Sequence, residues 1–236
     1  KRIICVLLVL FVLPSIVIAA EFKDAMIAYD NREFEKAAEI MQTLADAGNV
    51  MAKLNLGRLY QMGRGVSKNA VKAVSLYEEA AKQGDLEALV ALGGVYQYGE
   101  PDVPEDSDKA LQYYLKAAGQ GSEEAQIAIG RMYQDGWGSV QADRAEADKW
   151  LYMAAQQGRE EGLSEYADWI DKRKGSDRNA VEVFVYTSLA VQKGASGMES
   201  RLAELKAELT PEQLKEAEKQ IADWTPRKAV QLETQP

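Results

Sequence analysis

The residue types best suited to acid–base and nucleophilic chemistry are almost entirely missing from this chain. Histidine, the commonest general base, does not occur, and the single cysteine, Cys5, lies in an apolar stretch near the start. Ser–His–Asp and Cys–His arrangements and histidine-based zinc sites are therefore excluded. Carboxylates remain, with 37 Asp and Glu against 28 Lys and Arg and a formal net charge of −9. Pairs such as Glu78-Glu79, Glu123-Glu124 and Glu160-Glu161 stand at helical surface or first-turn positions. There they complement the helix dipole rather than form a catalytic dyad. The glycine pairs of Gly63-Arg64-Gly65 and Gly136-Trp137-Gly138 lack the spacing and the following Lys-Ser/Thr of a phosphate loop. The acidic stretch from Asp102 to Asp108 lacks the ligand spacing of a helix–loop–helix calcium site. No catalytic constellation, cofactor or metal is expected. An acidic chain with no basic stripe is also ill matched to nucleic acid or to an anionic membrane surface.

What the residues do show is a repeat. Gly48, Gly84, Gly121, Gly158 and Gly194 stand 36 or 37 residues apart. In the same phase recur Ala52, Ala88 and Ala125; Gly57, Gly93 and Gly130; Tyr60, Tyr96 and Tyr133; and Gly63, Gly99 and Gly136. Val66, Val103 and Val140 follow, then Asn69, Asp106 and Asp143, then Ala73, Ala110 and Ala147. A period of this length points to stacked supersecondary units, each unable to bury its apolar face alone. Every unit has the pattern of a helix pair. Ala52, Leu56 and Tyr60 share one face of a first helix, and glycines punctuate the turn. Asn69, Asp106 and Asp143 are suited to cap the second helix, and each marker glycine ends it. Glycine inside the first helix, at 57, 93 and 130, is unfavourable by about 1 kcal/mol relative to alanine. Its return in phase predicts a neighbouring helix too close for a β-carbon. The Tyr row and the row Leu76, Tyr113 and Trp150 are expected in the core.

The pattern A-x-x-x-L-G-x-x-Y-x-x-G-x-G-V, then N/D-x-x-x-A, then A-A-x-x-G, resembles the Sel-one-like repeat, a relative of the tetratricopeptide repeat. It is met closely at residues 52–84, 88–121 and 125–158. The resemblance implies an all-α, right-handed solenoid of antiparallel helix pairs. Residues 49–158 hold three good repeats, and 21–48 a degenerate leading pair. Residues 159–194 form a second degenerate unit, in which Gly162 replaces the alanine, Ala167 the glycine and Ile170 the tyrosine. Residues 195–226 are expected to form capping helices, the second begun by Thr210-Pro211-Glu212-Gln213, and 227–236 a tail. The resemblance also implies an adaptor or scaffold that binds a protein or peptide. Two alternatives stay open: an envelope structural or peptidoglycan-associated protein, and a β-lactam-binding or hydrolysing enzyme. Relatives of the second kind carry paired cysteines, which residues 21–236 lack.

With Ala52, Leu56 and Tyr60 inward, the helical period puts Leu54, Arg58 and Gln61 on the far side of the first helix. Their phase-mates are Val90, Gly94 and Gln97, then Ile127, Arg131 and Gln134. These residues are the expected partner-binding row on the concave surface, with Gln for peptide backbone and Arg for carboxylate.

Lys1-Arg2, the apolar run Ile3–Ile18 broken by Pro14, and Ala19-Ala20 have the layout of a secretory signal peptide, residues 1–20. The run is shorter than the roughly 20 residues a spanning helix needs. A periplasmic or otherwise secreted location is expected. Intact-mass measurement of the exported protein should place its first residue near Ala20 or Glu21. Retention of residues 1–18 in a membrane fraction would refute that.

Overall fold

The computed structural model describes residues 21–173 and 175–227, so the expected leader lies outside the described residues. The chain divides into two compact units, residues 1–106 and 107–236. The first contains α1 (residues 21–30), α2 (Phe34–Asp46), α3 (Val50–Met62), α4 (Ala70–Ala81) and α5 (Leu86–Tyr98). The second contains α6 (Ser107–Ala118), α7 (Glu123–Asp135), α8 (Arg144–Gln156) and α9 (Glu160–Asp171). A 3₁₀ turn at Gly175–Asp177 follows, then α10 (Ala180–Gln192), α11 (Glu199–Glu208) and α12 (Pro211–Asp223). The only extended pairings among the described residues are two isolated bridges, Glu100 with Val103 and Trp137 with Val140. The fold is an all-α solenoid: α2 to α5 pack in sequence order in the first unit, and α6 to α10 in the second.

Local chemistry starts and stops each helix where the repeat requires. The side chains of Asn49, Asp85 and Ser122 accept the N–H groups of Ala52, Ala88 and Ala125, closing the first turns of α3, α5 and α7. Asn69 and Asp143 do the same for the second helices α4 and α8, and Asn179 for α10. Asp106 immediately precedes α6. The Thr210 hydroxyl and Gln213 form a reciprocal capping box at the start of α12. All five marker glycines have positive φ, between 75° and 104°. That reversal turns each second helix into the next first helix.

The packing explains the glycines inside the first helices. A β-carbon on Gly57 would lie 2.5 Å from Cε1 of Tyr77, and one on Gly130 2.6 Å from Cγ of Leu151. Tyr77 and Leu151 are both fully enclosed. In these two pairs a large side chain of the second helix thus presses on the bare backbone of its own first helix. Gly93 is likewise buried in α5. Leu76 and Trp150 are buried as expected, but Tyr60, Tyr96, Tyr133 and Tyr113 are only half-buried. The Tyr60 hydroxyl accepts from Lys72, whose ammonium sits 4.2 Å from the ring centre.

In the second unit, α10 is enclosed from Val183 through Ala190, with α9, α11 and α12 packed around it. The degenerate repeat substitutes charge for the glycine turn. Asp171, at the end of α9, accepts from Arg178 and from Arg201 of α11, and these bonds hold its carboxyl below the usual carboxylate range.

Gly130→Leu is expected to destabilise the protein by about 2 kcal/mol or more, since overpacking must displace α8. Urea unfolding followed by circular dichroism measures it. An unchanged midpoint would show that the glycine does not mark a close approach.

Candidate partner-binding surface

The structure separates the expected row into buried and accessible residues. Leu54 and Ile127 are 0% and 2% exposed, and Gln97 is 5% exposed, so these three are interior and offer nothing to a partner. The correction has a packing reason: the first helices are flanked on more than one side, so their apolar far-side positions are enclosed too. Val90, Gly94 and Gln134 are half-buried.

The arginines remain at the surface, and each is paired. In the first unit, Arg58 of α3 reaches Glu87 of α5 at 2.9 Å, with both side chains substantially exposed. Beside it, Gln61 accepts from the enclosed Tyr77 hydroxyl at 2.8 Å and donates to Glu100 at 3.1 Å. Lys68 pairs with Glu100 at 2.8 Å, and its bond holds that carboxyl below the usual range. Burial pushes the Tyr77 hydroxyl pKa up, so it stays a neutral donor. In the second unit, Arg131 of α7 binds Glu165 of α9 through both Nε and Nη2. Exposed pairs of this kind contribute about 0.2–1 kcal/mol, little enough for a partner's charged group to replace them. The first unit therefore presents a guanidinium held by Glu87 of α5 and an amide held by Glu100 just beyond it, and the second a guanidinium held by Glu165 of α9.

One capping contact is visible in the sequence only as two irregularities. Arg159 stands where Asn49, Asp85 and Ser122 cap the other first helices, and it makes no side-chain cap. The missing acceptor comes from the preceding repeat. Glu123, 4% exposed at the start of α7, accepts the Gly162 N–H at 3.0 Å and pairs with Arg159 at 3.0 Å. A β-carbon on residue 162 would lie 2.5 Å from the Glu123 oxygen and 2.7 Å from the Ala154 carbonyl. Glycine replaces the repeat's alanine there for that reason.

Comparison with known proteins follows the same register. The Sel1 repeat family matches at residues 50–85, 86–122 and 123–158. Residues 50–158 therefore carry three Sel1 repeats. It is 33% identical over 99 residues to an exopolysaccharide production negative regulator of Rhizobium meliloti (strain 1021), covering 38% of this chain and 37% of that protein. It is 30% identical over 71 residues to an ERAD-associated E3 ubiquitin-protein ligase component of Arabidopsis thaliana, covering 30% of this chain and 10% of that one. The chain thus spans little more than a third of these curated relatives at most. Among solved structures, it resembles a protective antigen of uropathogenic Escherichia coli with an SLR fold. That match has 27% identity and a TM-score of 0.72 over 91% of this chain and 47% of that one. A Sel1 repeat protein from Oxalobacter formigenes shares the fold at 23% identity, with a TM-score of 0.69 and 87% of each chain covered.

Burial, helped by like charge from Glu161 and Glu160, raises the Glu123 pKa, and Arg159 and the Gly162 N–H partly offset it. A raised folded-state pKa means that the group's stabilising contribution is present at low pH and is lost as pH rises through that value. Glu123→Gln keeps an acceptor for Gly162 without the buried charge. It should exceed Glu123→Ala in stability by about 1 kcal/mol at neutral pH. It should also show a flatter decline in stability than the unsubstituted protein as pH rises above 4.5, the ordinary glutamate value. Thermal melts across pH check both, and equal melting of the Gln and Ala variants would refute the capping role.

Proposed function

We propose that this protein is an exported interaction module that binds a protein partner through outward side chains of its first helices, rather than an enzyme. The carrying observation is the run of three Sel1 repeats. Such repeats are protein-interaction modules, and their stacking exposes a long side-chain surface with no single catalytic cleft. The relatives fit this reading, since one is named as a ubiquitin-ligase component and another as a regulator. The surface chemistry supports it within each unit. Arg58 beside Gln61, and Arg131 near Gln134 on α7, offer a guanidinium for a carboxylate and an amide for peptide backbone. The signal-peptide layout of residues 1–20 supports export.

In-envelope crosslinking followed by affinity recovery tests the reading. Arg58→Glu combined with Arg131→Glu, at unchanged helicity, is expected to reduce recovery of the crosslinked partner at least tenfold. The control Lys116→Glu, on the second helix α6, should leave it intact. The reverse pattern would put the binding face elsewhere.

A further inference from the structure

The last described segment of the chain sits on the second unit in a way the repeat does not require. Where α12 ends, Trp224 is extended, at φ −72° and ψ 132°. Three residues later, the Arg227 N–H donates to the carbonyl of Gln156 at 2.7 Å. Gln156 is the last residue of α8, and its carbonyl is one of the four that a helix end leaves without an intrahelical donor. Between these points the segment lies against Gly158. A β-carbon there would stand 2.7 Å from both Cη2 of Trp224 and Cβ of Pro226. At the marker glycines 48, 84 and 194, a β-carbon would meet nothing within 4 Å. The interhelical turn therefore closes elsewhere without such a strap, which is an addition to the repeat. Trp224 packs against the core cluster of this unit, yet its indole N–H is enclosed with no acceptor. The strap fits by shape and leaves one polar requirement unmet, which weakens its hold.

We infer that the C-terminal end of α8, around Gln156 and Gly158, is a docking site for an extended peptide with an aromatic residue two positions before a proline. The chain's own Trp224–Arg227 segment occupies the site until a partner segment of the same chemistry displaces it. Each part of that chemistry has a counterpart on the surface. The residue before a proline is held extended, so the segment arrives with its shape preset and little conformational freedom to lose. The proline ring meets the bare backbone of Gly158, where any side chain would block it. The aromatic ring reaches the apolar cluster, and a backbone N–H meets the Gln156 carbonyl. Tethering gives the strap an effective concentration on the order of millimolar, so a partner prevails by high local concentration or by supplying the missing indole acceptor.

The inference rests on the interaction-module reading and adds a second, separable site to it. The probe is a fluorescent peptide with the sequence of residues 221–227, followed by anisotropy against the full chain. Trp224→Ala, which removes the internal competitor, should bind the peptide at least tenfold more tightly than the unsubstituted chain. Adding Gly158→Ala to that variant should weaken binding at least tenfold. Adding Gly84→Ala instead, equally strained but at an open counterpart, should change nothing. Equal binding by the unsubstituted chain and Trp224→Ala, or none by either, overturns the proposal. So does an equal effect of the two glycine changes. If Trp224→Ala loses helicity, the full chain labelled with 5-fluorotryptophan replaces it. The Trp224 resonance must then shift with millimolar peptide, and an unmoved resonance overturns the proposal. Partner recovery that survives these failures would leave the interaction-module reading standing.

Discussion

The contact on which the rest of the architecture depends is the pressure of one large side chain against the bare backbone of a facing helix. Tyr77 lies on Gly57 and Leu151 on Gly130, each at a distance that leaves no room for even a methyl group. This brings the two helices of a pair close and encloses the alanines around the contact, among them Ala52, Ala73 and Ala80 in the first unit. A helix interior normally disfavours glycine, so the local loss must be offset by dispersion and burial across the pair. The stability of each pair is then carried by packing that only the partner helix completes.

Between pairs, polar groups do the work that small residues do within them. The turn of one unit settles on the start of an earlier second helix: Arg64 donates to Tyr29 and covers Phe34, Ser139 bonds to Ser107 and Asp108, and Arg144 meets Asp177. Where the repeat degenerates, these devices grow stronger rather than disappear. Glu123 caps a helix that has lost its own cap, and Asp171 gathers two arginines where a glycine turn is missing. The Tyr166 hydroxyl, its pKa raised by burial and by Glu182, donates to that carboxylate, while Tyr152, Tyr166 and Tyr186 meet edge to face. The second unit closes on α10, which is apolar almost all round and is covered by the last two helices.

This division of labour suits a binding scaffold. The interior is dense and specific, while the outward charges of the first helices are paired weakly enough to exchange partners. The helices fix where those charges stand, so the surface is ordered in advance.

The periodic glycines, alanines and caps by themselves determined the helix pairs, their boundaries and the close approach at Gly57 and Gly130. Those features are local or repeat at one spacing, and a residue type that is unfavourable locally betrays a packing reason when it recurs. Asn69, Asp143 and Thr210 cap the helices their side chains suggested. Tertiary structure alone decided which outward positions are open. The 3.6-residue period puts Leu54, Arg58 and Gln61 on one side of α3. It does not say that Leu54 is enclosed, that Gln61 is tied to Tyr77 and Glu100, or that Arg58 stays exposed beside Glu87. Those outcomes depend on neighbours 16 to 39 residues away along the chain. The same holds for Gly162 and Gly158. Each is an ordinary glycine in the sequence, and each is fixed by a group from another element: the Glu123 carboxylate in one case, Trp224 and Pro226 in the other.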